Sequence, residues 1–310
     1  MAEFGHAFFE AEERNGFFIE SMMKRTWAAE VEVLEEIEKI CRKHEIKYFA
    51  DGGTLLGTIR HKGFIPWDDD IDIVMFREDY DKFLHIVSKE LPKGFVVGEV
   101  RANSDWSLEC ARVLNGLEIG YGNEERMKRF HGCPYIVGVD IFVLDNMPIK
   151  KEDEALQIQL LCILKHLSRE VAGLEQITEE VEETLRQIEK LFKVKINREG
   201  ILRNEILKLF DRVCCLYQND ECNEVTFFHW MLGHENYRFK KEWYADVLWM
   251  PFETVKVPVP VGYDEILKVT YGEDYMIPKN IAAGHDYPIY KAQEELLRKE
   301  NLNAKEENKR

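Results

Sequence analysis

The sequence predicts an α+β protein carrying an all-helical insertion, and three observations predict it. Short apolar runs alternate with helical patterns as far as Pro148. From Lys151 to about Leu216 the chain is almost free of Pro and Gly and keeps a helical period throughout. The stretch VPVPVGYDEILKVTYGEDYMIP then returns to strand, turn and helix.

Taken in order, residues 17–44 read as one amphipathic helix, because Trp27, Val31, Leu34, Ile37 and Cys41 recur at helical spacing between glutamates and lysines. IKYFAD (46–51) reads as a strand, GGTLLGTIRHKG as a turn into a helix, and DIDIVM as a second strand. A helix follows over 78–89, then strand candidates at 95–100, 108–114, 119–121 and 136–144. The helical block falls into three segments, broken near 171–178 and 194–200, and the chain closes on a charged helix from Lys291 that frays. The expected domains are an N-terminal amphipathic helical segment (1–45), a catalytic core (46–148), a helical insertion (149–220), the rest of the catalytic domain (221–290) and a charged tail (291–310).

Composition narrows the function. With 310 residues, 45% hydrophobic and 32% charged, the chain reads as a globular protein able to bury a real core. No apolar run approaches the roughly 20 residues that span a bilayer, and the start lacks the pattern of a secretion signal, so a cytoplasmic location is expected. A net charge of −16 argues against a nucleic-acid partner, which needs clustered Lys and Arg. The seven cysteines read as buried free thiols. A zinc site from Cys214, Cys215, Cys222 and His229 is a remote alternative, because the spacing fits no structural zinc pattern. Phe4, Phe8, Phe9, Phe17, Phe18, Met22 and Met23 exceed what a lone surface helix needs; they either pack on the same domain or meet a partner or membrane surface.

The chemistry sits in GGTLLGTIRHKGFIPWDDDIDIVM, where four aspartates in five residues run into a buried strand. In an extended chain Asp68, Asp70 and Asp72 share one face while Ile71 and Ile73 enter the core. Packed carboxylates repel, so such a face calls for a cation, and hard oxygen ligands suit Mg²⁺, with Mn²⁺ as a second choice, completed by substrate phosphates. A solvated acidic turn does not explain the β-branched strand that follows. An EF-hand would need Gly and Glu where the chain has Ile73 and Asp79, and a helix cap would use one or two carboxylates, not a face.

Upstream, Gly52, Gly53 and Thr54 lie where a strand passes into a helix, a place for backbone N–H groups to hold phosphate oxygens. Arg60 either contacts a diphosphate or is a solvated loop residue; Trp67 is either a ring for a cationic group or a wedge beneath the loop. Asp140, between Val139 and Ile141, is again a charge on a buried strand. It could complete the metal site, take the proton from an attacking hydroxyl, or be a strand-end carboxylate held by backbone donors. Asp145 reads as a turn or cap residue, and Glu253 and His285 as secondary candidates for site polar groups.

YFADGGTLLGTIRHKGFIPWDDDIDIVMFREDYDKF, VDIFVLD and FETVKVPVPVGYDEILKVTYGEDYMIP together resemble the LicD family, relatives of fukutin within the nucleotidyltransferase superfamily. The resemblance covers roughly 46–148 and 252–278 and implies a nucleotidyltransferase-like mixed β-sheet flanked by helices. It places the family's Gly-Gly turn on Gly52, Gly53 and Thr54, its D-x-D strand on Asp70 and Asp72, and its third acidic strand on Asp140. Val139 and Val143 depart from the usual IDIFPLD without removing a proposed ligand.

The implied activity is Mg²⁺-dependent transfer of phosphocholine from CDP-choline to a sugar hydroxyl of a teichoic acid or lipopolysaccharide. An acceptor linked to lipid would set the enzyme peripherally at the inner face of the cell membrane. The competing readings are a nucleotidyltransferase acting on a nucleoside triphosphate and a non-catalytic glycan-binding subunit. A choline head would call for an aromatic cage, for which Trp67, Tyr121, Trp106, Trp243, Trp249, Tyr271 and Tyr275 are available.

Overall fold

The computed structural model describes residues 3–174, 176–217, 222–234, 236–279 and 287–307. After a short 3₁₀ turn come β1 (Glu12–Arg14), β2 (Phe17–Ile19), α1 (Ser21–Lys43), β3 (Phe49–Ala50), α2 (Gly52–Arg60), β4 (Ile71–Phe76) and α3 (Arg77–Glu90). Next are β5 (Val96–Gly98), β6 (Ala111–Leu114), α4 (Glu124–Arg129) and β7 (Gly138–Asn146). The helices α5 (Lys151–Glu170), α6 (Glu179–Phe192) and α7 (Leu202–Cys214) follow, then β8 (Glu224–Thr226), α8 (Phe228–Met231) and β9 (Phe239–Lys240). The chain closes with β10 (Val247–Phe252), β11 (Val255–Pro260), α9 (Tyr263–Tyr271) and α10 (Lys291–Glu307). The fold is α+β, as the sequence predicts.

The chain forms two compact units. The first gathers Met1–Val97, Arg112–Ile141 and Asp246–Arg310. Its sheet runs β3-β4-β7-β6-β5, with β3 antiparallel to β4 and Phe49 opposite Val74. Helix α1 lays Trp27, Val31, Leu34, Ile37 and Cys41 into the core, all buried, as its spacing predicts. The Trp27 ring stacks on Phe64 at 4.7 Å, and Phe64 meets Phe252 of β10 at 4.8 Å. Among the described residues no helix is long and apolar enough to cross a membrane.

The second unit gathers Gly98–Ala111 and Phe142–Ala245. Here α5 and α7 lie together, with the Gln157 amide donating to the Val213 carbonyl at 2.8 Å. Asn204 of α7 donates to the carbonyls of Val100, Asn103 and Trp106, fastening a loop that the sequence assigns to the catalytic core. The unit also takes in 223–234 and 236–245, which the sequence reading groups with the catalytic domain.

Three local expectations are corrected. The N-terminal helix starts at Ser21 instead of near 17, because Asn15 and Gly16 adopt φ of 52° and 75° and turn β1 back along β2. Asn-Gly is the strongest short hairpin signal, and it outranks the helical pattern beyond it. Residues 119–121 form no strand; they lie between Gly116 and Gly122, whose φ values of 152° and 84° break an extended run. Asp145 is a buried strand residue opposite Thr226, because β8, distant in sequence, pairs with the end of β7.

The N-terminal aromatics pack mostly on their own unit: Phe9 stacks on His131 at 5.7 Å, Phe17 meets Trp67 at 6.2 Å, and Met23 is buried, while Phe18 stays 63% exposed.

Candidate active site

Asp70 closes the loop that leads into β4 and Asp72 is the second residue of that strand, beside β7 and its Asp140. The strand begins at Ile71, so Asp68, Asp69 and Asp70 approach as loop residues and Asp72 alone of the four belongs to the ladder. The loop is fixed from behind by Trp27, whose indole N–H donates to the Asp68 carbonyl at 3.0 Å.

Gly52 and Gly53 are required by the aspartates. Gly52 has φ of 50°, and a Cβ there would lie 2.9 Å from Asp72 Oδ2; a Cβ on Gly53 would run into the Asp68 carboxylate. The two carboxylates therefore sit over the first turn of α2, at its positive end. Thr54, almost fully buried, turns its hydroxyl to the Asp72 N–H, which donates to it at 2.8 Å, while Asp51 N–H donates to the Asp72 carbonyl at 3.1 Å. Turn and strand are thus locked together at the position of Asp72.

Ligand atoms of Asp68, Asp69 and Asp70 all lie within 4.8 Å of one another, the one such grouping of three potential metal ligands among the described residues. Asp70 is therefore brought together with its sequence neighbours. Asp140 lies outside that grouping, though its charge acts on Asp72, and is gripped by Arg112: Arg112 Nη2 donates to its Oδ2 at 2.6 Å, and Arg112 Nε donates to Oδ1. Cys214, Cys215, Cys222 and His229 form no such grouping.

The electrostatics are those of crowded, buried carboxylates. Burial, then the charges of Asp70 and Asp69, hold the Asp68 carboxyl well above its usual range. Burial, then Asp70, Asp140, Asp68 and Asp51, does the same to Asp72. Burial pushes Asp51 up to about 6. Clustered hard oxygens with excess negative charge fit a divalent cation such as Mg²⁺.

Other expected residues have other partners. Arg60 donates to the Tyr275 carbonyl at 2.7 Å, tying α2 to the segment after α9. Trp67 is 9% exposed and packs between Phe17 and His61, the geometry of a wedge. Glu253 accepts from the Phe64 N–H at 3.1 Å and from Arg14 at 3.4 Å, a loop-holding role. His285 lies outside the described residues.

Three residues, Arg112, Asp69 and Glu30, escaped the sequence reading. Arg112, in the strand ARVL, carries the same signal that exposed Asp140, a charge flanked by core residues. Asp69, fully buried, accepts from the Ile289 N–H at 2.5 Å. Glu30, also fully buried, has neither carboxylate oxygen hydrogen-bonded, and burial with the charges of Asp70 and Asp69 pushes its carboxyl well up. It lies one turn beyond Trp27 on the core face of α1, where a polar residue is out of pattern. Tyr271, one of seven candidate aromatics, stands by the cluster: burial, then the charges of Asp68, Asp51, Asp72 and Asp70, raises its hydroxyl.

Carboxylates gathered at the entry of one strand, over a glycine turn that opens a helix, are an arrangement that a divalent cation could link to a phosphate. Residues 45–120 match the family model described as LicD/FKTN/FKRP, nucleotidyltransferase domain. The class is therefore that of a phosphotransferase. The lipopolysaccharide cholinephosphotransferase LicD of Haemophilus influenzae is 24% identical over 259 residues, which span 79% of this chain and 87% of that protein. Over these spans the chain is similar to the LicD family. Shorter matches reach the uncharacterized protein RP689 of Rickettsia prowazekii, 37% identical over 83 residues (27% of this chain, 31% of that one). They also reach the human ribitol 5-phosphate transferase FKRP, 47% identical over 34 residues (11% and 7%).

Proposed function

We propose that the protein transfers phosphocholine from CDP-choline to a sugar hydroxyl of a cell-surface glycan of the lipopolysaccharide or teichoic acid type. The observation that carries this reading is the convergence of Asp68, Asp69 and Asp70 on one another beside the Gly52-Gly53 turn. The head group and the acceptor class are supported by the similarity to the Haemophilus cholinephosphotransferase. An acceptor linked to lipid would bring the enzyme to the inner face of the cell membrane as a peripheral protein.

Asp70 and Asp72, with Asp68 beside them, would hold Mg²⁺ or Mn²⁺, and Asp140 would join them on release from Arg112. The ion supplies charge neutralisation for a diphosphate. Thr54 fixes the backbone of Asp72, and the two glycines leave room for the Asp72 and Asp68 carboxylates to stand close over the first turn of α2. The acceptor oxygen attacks the phosphorus that bears choline. The bond from that phosphorus to the bridging oxygen breaks, and CMP departs with the oxygen and its electron pair. The hydroxyl proton passes to a freed oxygen of Asp140, and Arg112 gains donors for phosphate charge. Positioning and charge neutralisation account for most of the rate in this chemistry.

The test is incubation of the chain with CDP-choline, glycan acceptor and Mg²⁺, set beside CTP. CMP release with a phosphocholine-sized mass gain on the glycan is the expected result. Pyrophosphate from CTP would make the chain a nucleotidyltransferase, and unchanged glycan modification in cells carrying Asp72→Ala would make it a non-catalytic glycan-binding subunit.

A further inference from the structure

On the far side of the segment that touches Asp69, two tyrosines and a carboxylate wall a cavity of about 450 Å³, lined by Tyr121, Tyr135, Glu294, Leu297 and Arg298. Tyr135 is buried, with Tyr290 stacked flat against its ring at 4.5 Å and Tyr121 meeting it edge-on at 6.2 Å. Its hydroxyl donates to Glu294 Oε1 at 2.7 Å and lies 3.4 Å from the Tyr121 hydroxyl. The other Glu294 oxygen is 3.6 Å from an Arg298 guanidinium that is mostly exposed at the rim. Gln293 clamps the start of α10 to Ile136, donating to its carbonyl at 2.8 Å and accepting from its N–H at 2.9 Å. The wall is therefore fixed by hydrogen bonds on two sides before any ligand arrives.

Aromatic rings beside a carboxylate attract a cation that cannot itself donate hydrogen bonds, because ring quadrupole and carboxylate both act through charge alone. The guanidinium at the rim supplies a complementary donor for a phosphate one short linker away. A second cavity, with the aromatics Tyr48 and Trp249, sets the cationic side chains of Lys39, Arg42 and Lys256 against the two carboxylates of Glu35 and Glu38, a net positive lining less suited to such a cation. We propose that the Tyr121–Tyr135–Glu294 cavity binds the trimethylammonium of a phosphocholine unit, with Arg298 on its phosphate. The proposal rests on the phosphocholine reading above and deepens it. Ile289 donates to Asp69 while Tyr290 stacks on Tyr135, so this short segment joins the cavity to the acid cluster.

The unit has two sources, the donor's head group and phosphocholine already placed on glycan, and titration calorimetry with CDP-choline and with free phosphocholine separates them. The full chain is compared with Tyr121→Ala, Tyr121→Phe, Glu294→Gln and Leu297→Trp. Tyr121 is 56% exposed, so its replacement leaves the fold intact. Phosphocholine affinity is expected to fall about tenfold in Tyr121→Ala, to survive in Tyr121→Phe, and to be abolished by the bulk of Leu297→Trp. Phosphoethanolamine, whose ammonium is smaller and strongly hydrated, is expected to bind more weakly.

A matching rise in KM for CDP-choline in Tyr121→Ala assigns the site to the donor. Unchanged KM with lost phosphocholine binding assigns it to modified glycan. Equal phosphocholine binding by all variants, or none by the unaltered chain, overturns the proposal. Failure of the underlying functional reading shows separately, as no CMP released from CDP-choline by the unaltered chain.

Discussion

Arg112 grips Asp140 with two N–H donors, one to each carboxylate oxygen, so the guanidinium stands where a divalent cation's charge would otherwise be wanted. Metal entry at Asp140 must displace it. Arg112→Gln is expected to tighten Mg²⁺ binding by roughly tenfold in calorimetry without nucleotide, equivalent to about 1.4 kcal/mol. Unaltered affinity would remove Asp140 from the metal site. Asp140→Asn is expected to lower kcat by about 10²- to 10⁴-fold if the residue takes the acceptor's proton.

Gly53→Ala tests the glycine turn. The added methyl meets the Asp68 carboxylate, which must rotate away from Asp69 and Asp70. Transfer activity and Mg²⁺ binding are expected to fall together while circular dichroism stays unchanged. Retained metal binding would show that Asp68 is dispensable to the cluster.

The buried aspartates set a pH dependence with a definite sign. Asp51 is raised from 3.8 to about 6, so within that window the folded chain holds a proton that the unfolded chain has released. The stability it contributes is complete below 3.8 and is lost as pH rises through about 6. Asp68 and Asp72 shift in the same direction and extend the loss upward. Thermal melts of metal-free protein should therefore fall as pH rises across this range, less steeply in Asp51→Asn. Added Mg²⁺ should recover the loss by binding the ionised folded form. A rising trend in the metal-free melts would refute this.

Glu30→Gln removes an acid that burial and neighbouring aspartates disfavour in its charged form. The variant is expected to melt no lower than the parent near neutral pH and to show a shallower fall as pH rises. A markedly lower melting point would mean that the Glu30 carboxylate has a structural task at this position.

Much of this was legible beforehand, because local rules and tertiary packing agree along most of the chain. The stripe on α1, the Gly-Gly entry to α2 and the breaks between α5, α6 and α7 all lie in short windows. What escaped was set by distant partners. Nothing near Asp145 announces that Thr226 will face it, and nothing in ARVL announces that Arg112 will reach Asp140. The acid pattern places Asp70 and Asp72 at one entry to the sheet, but their strand starts at Ile71, so the loop curls Asp68 and Asp69 up to Asp70 instead. The Asn15-Gly16 hairpin was the exception, a local signal masked by apolar residues with a plausible helical period.

The contact from Ile289 to Asp69 makes the last stretch of chain a wall of the acid centre and not an appendage. Removing the chain from Tyr287 onward would strip a donor from a buried aspartate 220 positions upstream. Inactivity of such a truncated chain would then report a damaged centre.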